Sequence, residues 1–449
     1  MLTFREWKDH WKELDWTRKW FPIFLFLRPV ADNFYFLKDY GSLYSPIYIL
    51  GVLTPILCFV AVNRMKNIRT VAADQYMRIW AIMILVNGIA LLTYDASMDN
   101  FGNTLKYLSP PLLFFYLRHF IQSKRDLVFI LQTFLYSAVY PYLSMALELV
   151  FGPVDPEYVS AGRGGGARLR GYYADSANYF IYFINSVIIS VYFFLDRIFT
   201  KSKTNPMTAS KLLILFAAAL IGIIQLRHVT TWGALAVIIA LLLYFNSKNV
   251  KGYGVLIVVG LIVVPLLATL VYDQYIYPLI AKEFNVWEGD VDIQYGFNGR
   301  ISRWERYFEI WGQMPSIAHF FGVALSGFRQ APIMMSGGMH NDFVRILFMT
   351  GIFGVALYVL FILSIFFRWT IYKVPERFLI LTSVAALMMY SMTTLPMIYP
   401  GFQYVFFSVF SFALLKKQKA YGAPPPRPVF RPSPQFPAGG PAPSTSTAS

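Results

Sequence analysis

Long apolar runs of about 18–20 residues recur along most of the chain, and each is long enough as a helix to cross a membrane. The apolar residues are continuous rather than alternating, which indicates α-helices and excludes a membrane β-barrel. We therefore predict an all-α polytopic membrane protein with about 11–12 transmembrane helices. The predicted spans are 44–62, 76–94, 104–121, 127–151, 176–196, 211–226, 231–246, 253–271, 343–367, 378–395 and 401–415, with a weaker one at 21–37 that Arg28 and Asp32 interrupt.

Polar segments divide the chain into five parts. Near the N-terminus, Trp7, Trp11 and Leu14 recur at helical spacing among charged residues, which predicts an amphipathic helix at the membrane interface. The end of the chain is rich in proline, glycine, serine and threonine, which predicts a disordered tail. The parts are the N-terminal segment with the possible first span (1–43), a transmembrane bundle (44–271), a long external loop with short helices (272–340), the C-terminal transmembrane helices (341–417) and the tail (418–449).

Charged residues make up only 14% of the chain, well below the ~25% of soluble domains. The net charge of +15 comes largely from loops that follow the positive-inside rule, so it does not indicate a nucleic-acid partner. Basic residues near 64–69, 124–125, 197–211, 248–251, 368–377 and 416–419 predict cytoplasmic loops and two cytoplasmic termini. The loops 95–103, 152–175, 227–230 and 272–340 are then external.

His340 and Asn341 stand where the polar segment 272–340 meets the next apolar run. An imidazole titrates near neutral pH, so His340 is a candidate general base at the mouth of a membrane helix. If the helix begins at His340, Gly351 and Gly354 lie within about 20° and 40° of it around the helix. Glycines on that face would let a neighbouring helix approach closely. A histidine that only caps the helix fits the same pattern.

The polar segment that precedes His340 contains cationic residues. Arg300 and Arg303 lie in the first turn of a helix predicted to start near Asn298 and to end before Pro315. A helix N-terminus with guanidinium groups suits a phosphate, although a solvated basic face has the same composition. One face of this helix is aromatic, which suits a position on the membrane surface: Trp304, Tyr307 and Trp311.

Other polar residues in or near the membrane have a functional and a structural interpretation. Arg345 needs a partner or a water-filled cavity, and Asp342 is a candidate partner in an ordinary intrahelical ion pair. Arg227 interrupts two spans at a tight turn and marks either a site or a headgroup contact. Asp175 and Asn178, which follow a flexible basic loop, are candidates for contacts with sugar hydroxyls.

Metal and thiol chemistry have little support. The single cysteine, Cys58, cannot form an internal disulfide or a thiolate zinc site. The carboxylate pairs Asp290 with Asp292 and Asp95 with Asp99 have metal-binding spacing, but such pairs are common by chance in polar loops. We therefore expect no metal and no cofactor.

Several of these residues together match a sequence signature of a known family. His340-Asn341 is followed by nine residues and then by Gly351 and Gly354, and Gly299-Arg300 precedes Trp304. Arg227 lies at the mouth of a span, and the run 170–178 contains an Asp-Ser-Ala-Asn element. In these features the chain resembles the O-antigen ligase and polymerase superfamily of bacterial envelope glycosyltransferases over most of residues 40–415. It departs from the family at the turn after Arg227 and at Ser176, where proline is usual.

The resemblance implies a GT-C-like fold in the bacterial inner (plasma) membrane, with the active site facing the periplasm. It also implies metal-independent, inverting transfer of a glycan from undecaprenyl diphosphate to a hydroxyl of a glycolipid or glycan acceptor. In that scheme His340 activates the acceptor, Arg300 and Arg227 hold the diphosphate, and Arg303 assists. The remaining predicted substrate contacts are Asn341, Asp175 and Asn178.

Three other functions remain open. A polymerase would use the same donor and base, although the glycine-spaced histidine signature favours a ligase that uses lipid A-core. A transferase that uses a polyprenyl monophosphate sugar would need a metal-bound carboxylate pair. A flippase or exporter would need charged residues lining the membrane interior, and the mid-span regions of the sequence are nearly free of charge.

Overall fold

The computed structural model describes residues 1–34, 44–63, 70–152, 176–200, 209–226, 228–246, 300–326 and 340–415, together with a few isolated positions. All regular elements in these ranges are helical. The α-helices are α1 (Phe4–Glu13), α2 (Trp16–Asn33), α3 (Pro46–Asn63), α4 (Ala72–Tyr94), α5 (Met98–Phe120), α6 (Lys124–Ser137), α7 (Val139–Phe151), α8 (Ser176–Thr200), α9 (Ala209–Leu226), α10 (Val229–Asn246), α11 (Arg300–Gly312), α12 (Ser316–Phe321), α13 (Asp342–Phe366), α14 (Val374–Thr393) and α15 (Pro400–Ala413). Short 3-10 turns cover Val323–Ser326, Trp369–Ile371 and Pro396–Ile398.

Five stretches of the described chain are long and apolar enough to cross a membrane, so the protein is a helical membrane protein. They are Pro46–Asn63, Ala72–Tyr94, Lys124–Phe151, Tyr179–Phe199 and Asp342–Ile371. The other predicted spans also coincide with helices, which are shorter or more polar than these five. The predicted span 253–271 lies outside the described residues.

The predicted span 127–151 is two helices with a break at Ala138. Pro141 explains the position of the break, because proline has no N–H with which to bond the carbonyl of Ser137. In the weak predicted span 21–37, the two interrupting charges satisfy each other. Arg28 Nε lies 2.8 Å from Asp32 Oδ1, one turn along α2, and both side chains are buried.

Ion pairs join several helices at one end of the bundle. Arg118 of α5 binds Asp74 of α4 at 2.9 Å. Lys124 of α6 lies 2.6 Å from both Asp196 of α8 and Glu376 of α14. We call this the Lys124 end. The opposite end, where α10 and α13 begin and α14 finishes, is the His340 end.

The loops predicted to be cytoplasmic and the loops predicted to be external lie at opposite ends of the bundle, as the charge pattern predicts. Lys124, Arg197 and Arg377 lie at the Lys124 end, whereas His228 and His340 lie at the opposite end. Which end borders the cytoplasm stays a prediction.

The N-terminal helix differs from the expected interfacial helix. Its apolar face packs against α6: Trp7 stacks on Phe129 at 5.5 Å between ring centroids, and its Nε1 donates to Thr133 Oγ1 at 2.9 Å. His10 adds a contact of 3.1 Å to Asp126. The aromatic spacing therefore predicts the buried face correctly, but this face meets protein instead of lipid.

A segment from the end of the loop predicted to be external (272–340) enters the bundle between α4 and α13. Asn87 Nδ2 of α4 donates to the carbonyl of Phe321 at 2.8 Å, at the end of α12. A Cβ on Gly322, where φ is +112°, would lie 2.3 Å from the carbonyl oxygen of Met349. Non-helical backbone at this depth is stable because it is enclosed by protein, and Val323 and Ala324 that follow are fully buried.

Candidate functional site

The start of α13 positions His340. The helix begins at Asp342, one residue before the predicted span 343–367 and two residues after the start at His340 that was assumed to compare its face with the glycines. Asn341 is the N-cap residue, and its Oδ1 accepts from the backbone N–H groups of Phe343 at 2.9 Å and Val344 at 3.1 Å. His340 precedes the cap, is half-buried and has a φ of +47°. This left-handed conformation costs a non-glycine residue on the order of 1–2 kcal/mol and turns the chain sharply into the helix.

Gly351 changes the course of α13. Its backbone is non-helical, with φ +68° and ψ −173°, and this kink ends the simple helical relation between His340 and the two glycines. The expected close approach does occur at Gly351, because a Cβ there would lie 2.2 Å from the backbone carbonyl carbon of Phe320. Gly354 has another role, since a Cβ there would meet Thr350 of the same helix at 1.8 Å.

The C-terminus of α14 holds the start of α13. Asn341 Nδ2 donates to the carbonyl of Met392 at 3.3 Å. The buried carboxylate of Asp342 accepts from Ser391 Oγ at 3.4 Å and from the backbone N–H of Met397 at 3.0 Å. Asn341 thus has a positioning role, and its predicted contact with substrate stays a prediction.

The same end of α14 also holds the start of α10. Tyr390 Oη donates to Thr231 Oγ1 at 3.0 Å, and Thr231 Oγ1 lies 3.0 Å from His228 Nδ1. The His228 ring stacks on Phe180 of α8 at 4.3 Å between centroids. The last turn of α14 therefore lies between the segment at His340 and the segment at His228.

Several predicted site residues belong to these segments. Asn178 lies in the first turn of α8, two residues before Phe180, and only its backbone is described. Arg227, next to His228, and Asp175, just before α8, lie outside the described residues. The structure thus brings the neighbours of Arg227, Asn178 and His340 to one end of the bundle.

The predicted arginine helix forms as α11. Arg300 is its first residue, Arg303 is exposed one turn later, and the helix ends at Gly312, before Pro315 as expected. Its aromatic face packs partly on protein instead of lying only on a membrane surface: the Tyr307 ring meets Phe348 of α13 at 5.7 Å between centroids. This contact holds α11 against the helix that follows His340.

Arg345 does not form the expected ion pair with Asp342. Its guanidinium donates from Nε to Tyr107 Oη at 3.1 Å and from Nη2 to the same oxygen, and it lies 4.6 Å from the centre of the Tyr107 ring. Asp342 and Arg345 instead border a common cavity of ≈ 20 Å³, room for about one water. Tyr107 and its neighbour Lys106 carried no local signal, because the packing of α5 against α13 cannot be deduced from either segment alone.

The charge content of the bundle was underestimated from the sequence. Among the described residues, buried charged side chains include Arg28, Asp32, Asp74, Arg118, Asp342, Arg345 and Glu376. Most lie near helix ends, where an average over a long apolar window hides them. The mid-span regions of the described helices hold few charges, so the argument from the sequence against transport is unchanged.

Metal ligation has no site in the described part of the chain, where no three His, Cys, Asp or Glu side chains cluster. Asp95 is used within the turn between α4 and α5, where it accepts from Asn100 Nδ2 at 2.9 Å. Asp290 and Asp292 lie outside the described residues, and for Asp99 only the backbone is described.

No protein-family model matches this chain, and no curated protein is similar to it. The resemblance to the O-antigen ligase and polymerase superfamily therefore stays a prediction from the residues quoted above.

Proposed function

We propose that the protein is an O-antigen ligase-like glycosyltransferase of the bacterial inner membrane. It transfers a glycan from undecaprenyl diphosphate to a hydroxyl of a glycolipid such as lipid A-core, at the periplasmic face. The bilayer, the lipid-linked donor and the acceptor are its partners, and the reaction uses no metal or cofactor.

The observation that carries this proposal is the setting of His340. The residue adopts a strained left-handed conformation at a helix start that Asn341 and Asp342 fix firmly to the end of α14. Backbone strain that the surrounding structure maintains is frequent at functional sites. The backbone that carries this imidazole is fixed in place, which suits a group that receives a proton from an acceptor hydroxyl.

Leaving-group stabilisation is the second requirement of the reaction. A departing diphosphate needs positive charge as the glycosidic bond breaks, and guanidinium groups provide it without a metal. Arg300 and Arg303 begin the helix that contacts α13 through Tyr307, and Arg227 immediately precedes His228. We assign the diphosphate to Arg300 and Arg227, with Arg303 assisting. Asn341, Asp175 and Asn178 remain the proposed contacts with the sugars.

A transfer assay with purified full-length protein in detergent tests the proposal, with lipid-linked glycan as donor and lipid A-core as acceptor. His340→Ala and His340→Asn should both lower the rate by about 10²–10⁴-fold, the usual contribution of a general base. Asparagine tolerates positive φ, so His340→Asn separates loss of the base from loss of the backbone conformation. His119→Asn, at the Lys124 end, is the matched control. Near-native transfer by His340→Asn would refute the role of His340.

A polymerase differs from a ligase only in the acceptor, so the same assay separates them when a lipid-linked repeat replaces lipid A-core. Transfer to the repeat alone would identify a polymerase.

Transport is a second candidate, although most buried charges of the described bundle lie near helix ends and do not line its interior. A flippase or exporter would move a lipid-linked glycan across a vesicle membrane but form no new glycosidic bond in detergent. Transport by His340→Asn at the native rate, without transfer by the native protein, would support this candidate.

A further inference from the structure

Two cations at the His340 end form no direct ion pair with a carboxylate of the described residues. Arg345 is only 7% exposed, and its hydrogen bonds within the described residues go to the neutral phenol of Tyr107. None of the ion pairs found among the described residues includes Arg345 or Lys106. A buried arginine without a counter-charge is costly in a low-dielectric bundle, so an unbalanced one points to a ligand.

Lys106 adds to this local excess of positive charge. It precedes Tyr107 on α5 and lies close enough to Arg345 for the two charges to repel each other. The charge of Arg28 also repels it, although Arg28 itself is paired with Asp32. Lys106 is exposed on the outside of the bundle, so an anion that reaches it can approach from the membrane side.

The nearest carboxylate does not neutralise the pair. Asp342 attracts Arg345 from beyond ion-pair distance, while its own Oδ2 accepts from Met397 and Ser391. The cavity between Asp342 and Arg345 is bordered otherwise by largely apolar side chains, including Trp80, Met349 and Met397. Its ≈ 20 Å³ admits a water but not a whole phosphate, so a phosphate has to bind outside this cavity.

The depth of the two cations suits a phosphate of a membrane lipid. Arg345 lies about one turn inside the start of α13, and Lys106 lies at the beginning of the predicted span 104–121. If the predicted spans mark the hydrocarbon core, both cations lie near its boundary, where the phosphates of lipids and of polyprenyl carriers are found.

We propose that Lys106 and Arg345 form a phosphate-ester site that opens sideways to the membrane, with Tyr107 holding the guanidinium in place. A membrane phospholipid or a polyprenyl diphosphate would supply the phosphate. The site does not depend on the proposed transferase function, because binding is measured without an acceptor and without turnover.

Native mass spectrometry of the full-length protein tests the site, with phosphatidylglycerol and a polyprenyl diphosphate as separate probes. Lys106→Gln with Arg345→Gln should weaken binding by about 10- to 100-fold, the effect of losing charge-assisted hydrogen bonds. Arg345→Lys keeps the charge and should stay within several-fold of native. Arg78→Gln, an exposed arginine of α4 near the Lys124 end, should leave binding unchanged. The single variant Lys106→Gln alters only an exposed side chain and serves if the double variant fails to fold.

Loss confined to the diphosphate probe would assign the site to a carrier lipid. Equal loss with both probes would assign it to a phospholipid headgroup. Native affinity of the folded variants for both probes would overturn the proposal. Binding of the lipids tests the site at Lys106 and Arg345, and transfer of the glycan tests His340. Because the two are measured separately, either proposal can fail while the other stands.

Discussion

The two ends of the bundle differ in how charged side chains make contacts between helices. At the Lys124 end, cations and carboxylates pair directly: Arg118 with Asp74 at 2.9 Å, and Lys124 with Asp196 and Glu376 at 2.6 Å. At the His340 end, Arg345 binds a phenol, and Asp342 accepts from a backbone N–H and a hydroxyl. Charges that satisfy one another hold helices together, whereas charges satisfied only by neutral groups can still attract a ligand of opposite sign.

The comparison also concerns how the helices are fixed. Side-chain ion pairs connect α4, α5, α6, α8 and α14 at the Lys124 end. The His340 end relies on helix caps and on close backbone contacts, such as those of Gly351 with Phe320 and of Asn341 with α14. Stability and function should therefore respond differently to substitutions at the two ends.

The largest expected effect comes from removing Lys124. Lys124→Met would remove the cation that binds Asp196 and the fully buried Glu376, which costs about 3–5 kcal/mol when a buried pair is broken. Arg345→Met removes a cation that has no carboxylate partner and should change stability by less than about 1 kcal/mol. Unfolding of both variants in one detergent gives the two free energies. Equal losses would contradict the proposed contrast between the ends.

Gly351→Ala should have the next largest effect. The new methyl would lie 2.2 Å from the carbonyl carbon of Phe320 in a backbone with φ +68°, so overpacking and strain together should cost about 1–3 kcal/mol. Gly51→Ala in α3 is the matched control, because no atom lies within 4 Å of its Cβ position. This helical glycine should tolerate alanine or gain about 0.5–1 kcal/mol. A neutral Gly351→Ala would show that the α12 segment is not held tightly against α13.

Helix positions were largely predictable from the sequence, and helix contacts were not. Apolar runs fixed most helices within a few residues because membrane length and hydrophobicity act locally. The position of Pro141 within the predicted span 127–151 could have indicated the break at Ala138, but hydropathy alone did not. The kink at Gly351 depends on Phe320, which belongs to a distant part of the chain.

In the candidate site, too, features along one helix were predictable and contacts between helices were not. The end of the polar segment at His340 predicted a helix start near residue 343, and the helix begins at Asp342 with Asn341 as its cap. The ion pair expected between Asp342 and Arg345 was wrong because Tyr107, from another helix, is the nearer partner. Sequence spacing describes neighbours on one helix only, and this site is built from the ends of several helices.

Removing a helix cap should have the smallest effect on stability. A comparison of two caps tests whether Asn341 positions His340 for transfer. Asn341→Ala removes a cap with two backbone partners, and Ser123→Ala removes the cap of α6 at the Lys124 end, so each should cost about 1 kcal/mol. Their effects on transfer should differ, because only Asn341 also binds Met392 and fixes the residue that follows His340. We expect a lower transfer rate for Asn341→Ala and a native rate for Ser123→Ala, measured on folded protein. If both variants transferred at the native rate, the cap at Asn341 would be structural only, and His340 would have to be positioned by contacts outside α14.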